Sequence, residues 1–299
     1  MNNIVELLKE YGPLTGKEIY EKTYRDIYEL WKVCNNSRDI ISRTIGEKYL
    51  RFDKHVDGFA RLSPSIIREF YSYMVFGTKE QYEMINTKAE NIYKEILEIS
   101  RKKFQLAQKA MAEIVEHQED PQLIRSQVCF IISGDVAYGM AHTEPRPECS
   151  TGKLVNGSDL DIVVVSKDLP DSVIKGLDSS IYEQKAYLLK NPSYREEIDY
   201  VVKNISKVEK QLEFDEFESM IASKVLHEGK FLYGSIELFD EIKKMIFNRG
   251  IPQKLDALKK KASIDRDTAR RQLLTNDNAI LDEDNMKLFY TTDEKEEFF

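Results

Sequence analysis

Ile131-Ile132-Ser133-Gly134-Asp135, followed by Gly157-Ser158-Asp159-Leu160-Asp161-Ile162-Val163-Val164-Val165, is the part of the chain from which its architecture is read. An apolar run enters a glycine turn, and a second apolar run carries two aspartates two positions apart. Residues i and i+2 of a strand share a face. Asp159 and Asp161 therefore point one way, while Leu160 and Ile162 point into a core. Two carboxylates about 6–7 Å apart at a strand end suit a divalent cation. A glycine turn that opens a helix offers free backbone N–H groups to phosphate. Cation and phosphate together point to phosphoryl or nucleotidyl transfer. An Asp–apolar–Asp step by itself is more often a solvated strand end. The glycine turn, Gly157-Ser158 and a later aspartate lift it above that reading.

The pattern resembles the polymerase-β-like nucleotidyltransferase superfamily, in its minimal form. That family has an apolar strand, Gly followed by Gly or Ser, a short helix, then Asp–apolar–Asp/Glu on the next strand. A third carboxylate sits on a later strand, and Ile198-Asp199-Tyr200-Val201-Val202 supplies one after Glu196-Glu197. The resemblance covers roughly Gln127 to Ser235. Asp135 stands where the family has Ser or Gly, so Ser133 or backbone N–H groups would take over the phosphate contact. Gly134 and Asp159 stand 25 positions apart, 134 to 159, more than the family spacing. The excess is Thr143–Gly152, whose Pro and Gly content reads as a loop.

The resemblance implies a metal-dependent enzyme moving an NMP from an NTP, ATP first, to an acceptor hydroxyl with release of pyrophosphate. Asp159, Asp161 and Asp199 would be the catalytic and metal-ligating set for Mg²⁺ or Mn²⁺, with Asp199 as extra ligand or base. Ser133, Gly134, Asp135, Ser158 and Tyr233 would shape the nucleotide site. Tyr233 reads equally as a packing residue, and Gly229 as a helix cap. The acceptor would be nucleic acid, RNA first, or protein. The competing reading is a DNA-binding regulator or antitoxin-like partner whose core binds nucleotide without turnover. Asp135 favours it, since a carboxylate beside a triphosphate repels it by roughly 1–4 kcal/mol.

The rest of the chain sets the frame. Its 299 residues allow two domains, and 41% hydrophobic with 32% charged content fits a globular protein. No apolar run reaches the roughly 20 residues that span a bilayer, so no membrane partner is expected. Met1–Glu6 lacks the basic and apolar parts of a secretory signal. Cys34, Cys129 and Cys149 form neither a disulfide framework nor zinc spacing. Cys129 reads as a small core residue, and a reducing cytoplasm fits. His55, His117, His142 and His227 are scattered without metal spacing. A net charge of −8 argues against non-specific coating of nucleic acid.

The expected class is α+β, with a mixed-sheet core flanked by helical segments. Residues 1–70 resemble a winged helix-turn-helix: helices at Ile4–Leu8, from the Thr15-Gly16-Lys17-Glu18 capping box, at Asp26–Val33 and at Ser37–Ile45. A wing of Tyr49–Phe52 and Phe59–Leu62 turns at Val56-Asp57-Gly58. The helix Ser37–Lys48 would enter a DNA groove with Arg38, Arg43 and Lys48, the wing adding Arg51, Lys54 and Arg61. Six Lys/Arg face four Asp/Glu over 37–62. A protein-docking or dimerisation module is the equal alternative. Residues 71–125 read as a helical spacer, part of a helical stretch over 66–118 that would run about 60 Å from Thr78 to His117 if unbroken. This spacer offers a second route to a homodimer. The core is 126–235. Residues 236–299 are a helical region whose basic residues, Lys254 to Arg271, read as a solvated face or a site for triphosphate or nucleic acid. An acidic tail follows, mobile unless Leu288, Phe289, Tyr290 or Phe298-Phe299 dock.

Overall fold

The structure is a computed structural model that describes residues 2–148, 152–275, 283–292 and 294. Cys149, Phe298, Phe299 and most of the acidic tail lie outside these residues. Two compact units emerge, residues 1–95 with 256–299, and residues 96–255. The four consecutive segments expected from the sequence are therefore regrouped. The long helix Tyr82–Glu116 is no separate spacer, since residues 82–95 belong to one unit and 96–116 to the other. Residues 236–255 join the core, and 256–299 return to the N-terminal unit. Both units mix helices and sheet. Among the described residues no helix is long and apolar enough to cross a membrane.

In the first unit, helices Asn2–Tyr11, Gly16–Thr23 and Ile27–Asn36 pack with Ile66–Ser72 around Ile4, Leu8, Ile19, Trp31, Phe70 and Phe76. The Thr15 capping box forms: its hydroxyl accepts the Glu18 N–H at 3.2 Å, and the Glu18 carboxylate accepts the Thr15 N–H at 2.6 Å. The hairpin Tyr49–Phe52 with Ala60–Ser63 also forms, turning through Asp57–Phe59. The helix expected at Ser37–Lys48 does not. Ile40–Thr44 is a strand, paired antiparallel with Met74–Thr78, which in turn pairs with Leu14–Thr15. Ile40, Ile41 and Thr44 are β-branched and stiff, which suits a pleated surface. The fully buried Met74–Thr78 strand likewise interrupts the helix expected over 66–118. Phe289 of helix Glu283–Phe289 is fully buried, edge-on to Trp31 at 5.2 Å and to Tyr28 at 5.3 Å. The C-terminal region thus docks within this unit through that ring.

The second unit is built on a four-stranded mixed sheet, ordered Ile198–Asn204, Leu160–Ser166, Val128–Ile132, Lys230–Gly234. The first two strands run parallel, and the other pairings are antiparallel. Val128, Phe130 and Ile132 with Leu160, Ile162 and Val164 face a core shared with Ala107, Met111 and Val115 of the long helix. Leu177 and Ile181 of helix Asp171–Lys190 complete it. The alternation rule places Asp161, Val163 and Val165 on the opposite face. Cys129 is buried there too, and burial pushes its thiol up to about 12, as expected of an inert core residue.

Candidate active site

The site end of the sheet is where Val128–Ile132 stops and Leu160–Ser166 begins. The Ser133 N–H donates to the Asp161 carbonyl at 2.9 Å, closing the ladder. Gly134 then takes a left-handed φ of 64° and opens the short helix Gly134–Tyr138. A Cβ on Gly134 would lie 2.0 Å from Asp161 Oδ2. The glycine is therefore required by the carboxylate packed on it as well as by its backbone angle.

Asp199 is in register with Asp161 on the adjacent parallel strand. Neighbouring strands lie about 4.8 Å apart and register partners share a face, so these two carboxylates are side by side. Asp161 is half-buried and Asp199 exposed. Burial first, then repulsion from Asp135, Asp199 and Glu228, pushes the Asp161 carboxyl from 3.8 up to about 7, against a smaller pull from Lys224. Asp135 accepts a hydrogen bond from Ser158 Oγ at 2.8 Å, and Ser158 Oγ accepts the His142 N–H at 3.2 Å.

Asp159 is held differently. Its carboxylate is ion-paired with Arg146, which also reaches Glu197 at 2.8 Å and the Gly157 carbonyl at 2.9 Å. Arg146 lies on a small hairpin, Pro145–Pro147 with Leu154–Asn156, whose first strand belongs to the sequence insertion. Among the described residues no three His, Cys, Asp or Glu converge closely enough to hold one ion. With Asp159 engaged by Arg146, the expected triad is not a closed ligand set. The remaining chemistry does fit a divalent cation: clustered carboxylates, all oxygen donors, carry a mutual repulsion that such an ion would relieve.

Ser133, Gly134, Asp135, Ser158, Asp159, Asp161 and Asp199 are thus gathered at one end of the sheet. Tyr233 is not. Its strand runs antiparallel to Val128–Ile132, so Lys230 is at the site end and Tyr233 is carried away from it. Its hydroxyl donates to Glu116 at 3.1 Å and accepts from Arg125 at 3.2 Å.

Four residues that sequence reasoning missed complete the site. Glu228 accepts the Gly134 N–H at 3.3 Å and the Tyr138 hydroxyl at 2.6 Å, and pairs with Lys224 at 2.6 Å. The readable signal was a glutamate closing helix Phe217–Glu228, where the macrodipole disfavours negative charge. Arg146 was legible as the one basic residue in Thr143–Gly152. Lys103 is buried, donates to the Asn156 and Ser158 carbonyls at 2.7 and 2.9 Å, and pairs with Glu196 at 2.5 Å. Burial lowers its ammonium pKa despite that pairing.

Five of the expected nucleic-acid residues are engaged within the first unit. Arg43 donates to Asn86 and Glu90, and Lys48 pairs with Glu69 at 2.7 Å. Arg61 is buried, donating to Asp53 and the Lys287 carbonyl at 3.0 Å each. Arg266 is buried against Glu69 at 2.6 Å and the Pro64 carbonyl at 2.6 Å. Arg270 donates to Asn35 at 2.6 Å. These guanidinium groups stitch the fold rather than line a free basic surface. No protein-family profile matches the chain, and no characterised protein matches it.

Proposed function

We propose that residues 96–255 form a metal-dependent nucleotidyltransferase that moves an NMP from an NTP, ATP first, to an acceptor hydroxyl. The observation that carries this reading is the register of Asp161 with Asp199 against the Gly134 turn, within a carboxylate cluster that includes Asp135 and Glu228. The sheet order and the glycine turn support the resemblance to a minimal nucleotidyltransferase core. In the first unit, the hairpin and the helix Ile27–Asn36 support a winged-helix reading in which that helix takes the place of Ser37–Lys48.

Asp161 and Asp199 would hold Mg²⁺ or Mn²⁺, joined by Asp159. When bound, the ion neutralises the leaving pyrophosphate and lowers the pKa of the acceptor hydroxyl. Phosphate would take the Gly134 N–H in place of the Glu228 carboxylate, and Lys224 adds an ammonium beside the turn. Asp199, the exposed aspartate, takes the acceptor proton. The acceptor oxygen bonds to the α-phosphorus as its bond to the pyrophosphate oxygen breaks. The residues mainly position groups and balance charge, because phosphoryl transfer asks little covalent help of protein.

The test is incubation of the full chain with α-labelled NTPs, Mg²⁺ or Mn²⁺, and RNA, DNA or protein acceptors. Label should move to one acceptor class and stop moving in Asp161→Asn and Asp199→Asn. The Arg146 pairing of Asp159 favours a second reading, a nucleotide-binding regulator without turnover. NTP binding by calorimetry with no pyrophosphate release from any acceptor would select it.

A further inference from the structure

The backbone that presents Asp159 is pinned on both sides. Lys103 holds the carbonyls of Asn156 and Ser158 from within, and Gly157, at a φ of 63°, lies so close to the His142 carbonyl that a Cβ would meet it at 2.1 Å. Beyond Asp159, the Leu160 N–H donates to the Glu197 carbonyl at 2.9 Å. Only the Asp159 side chain retains a choice. Asp159 immediately precedes the strand that carries Asp161, and its carboxylate is taken by Arg146 from the hairpin. Arg146 also neutralises Glu197 and is steered by its Nε–H to the Gly157 carbonyl, the residue two before Asp159.

We propose that Arg146 is a positioning residue that latches Asp159 while no cation is bound and releases it to the first divalent ion. Completing the ligand set and freeing the guanidinium are then one event, and the hairpin sets the cation concentration at which the site assembles. This rests on the nucleotidyl-transfer reading for the ligand role of Asp159. A cation must break this charge-assisted pairing before it takes the carboxylate, a cost worth about tenfold in affinity.

The experiment is Mn²⁺ titration of the full chain followed by electron paramagnetic resonance. It compares wild type, Arg146→Gln, Asp159→Asn and the double variant. Arg146→Gln should tighten Mn²⁺ binding about tenfold. In the Asp159→Asn background the same change should alter affinity less than about twofold, because a latch acts only through the residue it holds. Arg146→Lys keeps the charge without the fork and should fall between wild type and Gln, which gives a second reading if the Gln variant folds poorly. Unchanged or weaker affinity in Arg146→Gln overturns the latch alone. Equal tightening with and without Asp159 also overturns it, since that is the signature of a diffuse field. No Mn²⁺ binding in any variant at millimolar concentration overturns the metal reading and the latch with it.

Discussion

Asp161→Asn should make the metal-free protein more stable at alkaline pH, because the wild-type carboxylate is held under repulsion. Its folded-state pKa of about 7 stands above the ordinary 3.8. Below 3.8 the group is protonated in both states and costs nothing. Between 3.8 and about 7 the unfolded chain gives up the proton while the folded chain keeps it, so stability falls as pH rises. Above about 7 the folded group must also ionise, and the penalty is complete. At 1.36 kcal/mol per pKa unit the gap sets a ceiling of about 4 kcal/mol. Solvent reaching a half-buried side chain lowers the expected gain to about 1–2 kcal/mol. Trp31 lies in the other unit, so its fluorescence is the wrong probe. Instead, the chain is equilibrated in urea with chelator at about pH 5 or pH 8.5. A hydrogen-exchange pulse at one fixed pH then labels peptide 160–166, a strand in the core of the second unit. Wild type should lose stability between the two conditions, and Asp161→Asn should lose clearly less and exceed wild type at the higher pH. A variant less stable than wild type at pH 8.5, or one with the same pH slope, would refute the reasoning.

Other substitutions probe the same end of the sheet. Gly134→Ala should cost about 1–2 kcal/mol for its left-handed backbone, and should weaken NTP binding by displacing the Asp161 carboxylate; unaltered affinity by calorimetry contradicts this. Asp135→Ser removes a like charge and should preserve or raise NTP affinity, whereas a marked loss would make Asp135 itself a ligand or orienter. Lys103→Met leaves Glu196 buried without its cation and should destabilise the second unit by about 3–5 kcal/mol in urea. Adding Glu196→Leu should recover most of that loss, and failure to recover would place the cost in the lost caps on Asn156 and Ser158.

The second unit was the more legible half. Val128–Ile132 and Leu160–Ser166 are apolar runs next to glycine turns, and that pattern brings Asp161 to the Gly134 turn, whereas Asp159 falls just before its strand. The first unit was read wrongly at Ile40–Thr44 because Ile40, Ile41 and Ile45 satisfy a helical spacing as well as a strand. The decision lies with Met74–Thr78, which a local window does not contain. Tyr233 was misplaced for a related reason: strand direction, invisible in sequence, carries it away from the turn. Arg146 and Glu228 escaped because each acts across the fold, through partners at Asp159, Glu197 and Gly134. The basic residues near Leu62 and Lys254–Arg271 counted as surface charge in sequence, whereas Arg61 and Arg266 are interior cross-links.

Phe289 has a bearing on biogenesis. The second unit is an unbroken stretch, 96–255, available to the ribosome's product as soon as it emerges. The first unit is interrupted by it, and its aromatic cluster around Trp31 lacks Leu273 and Phe289 until residues beyond 255 are made. Domains ordinarily mature from the N-terminus as they leave the tunnel. Here the order is inverted: the internal unit completes first, while residues 1–95 wait with Trp31 and Tyr28 still lacking the ring that closes them. A nascent chain that ends before residue 283 therefore holds all of the second unit, while the Trp31 cluster of the first still lacks Phe289.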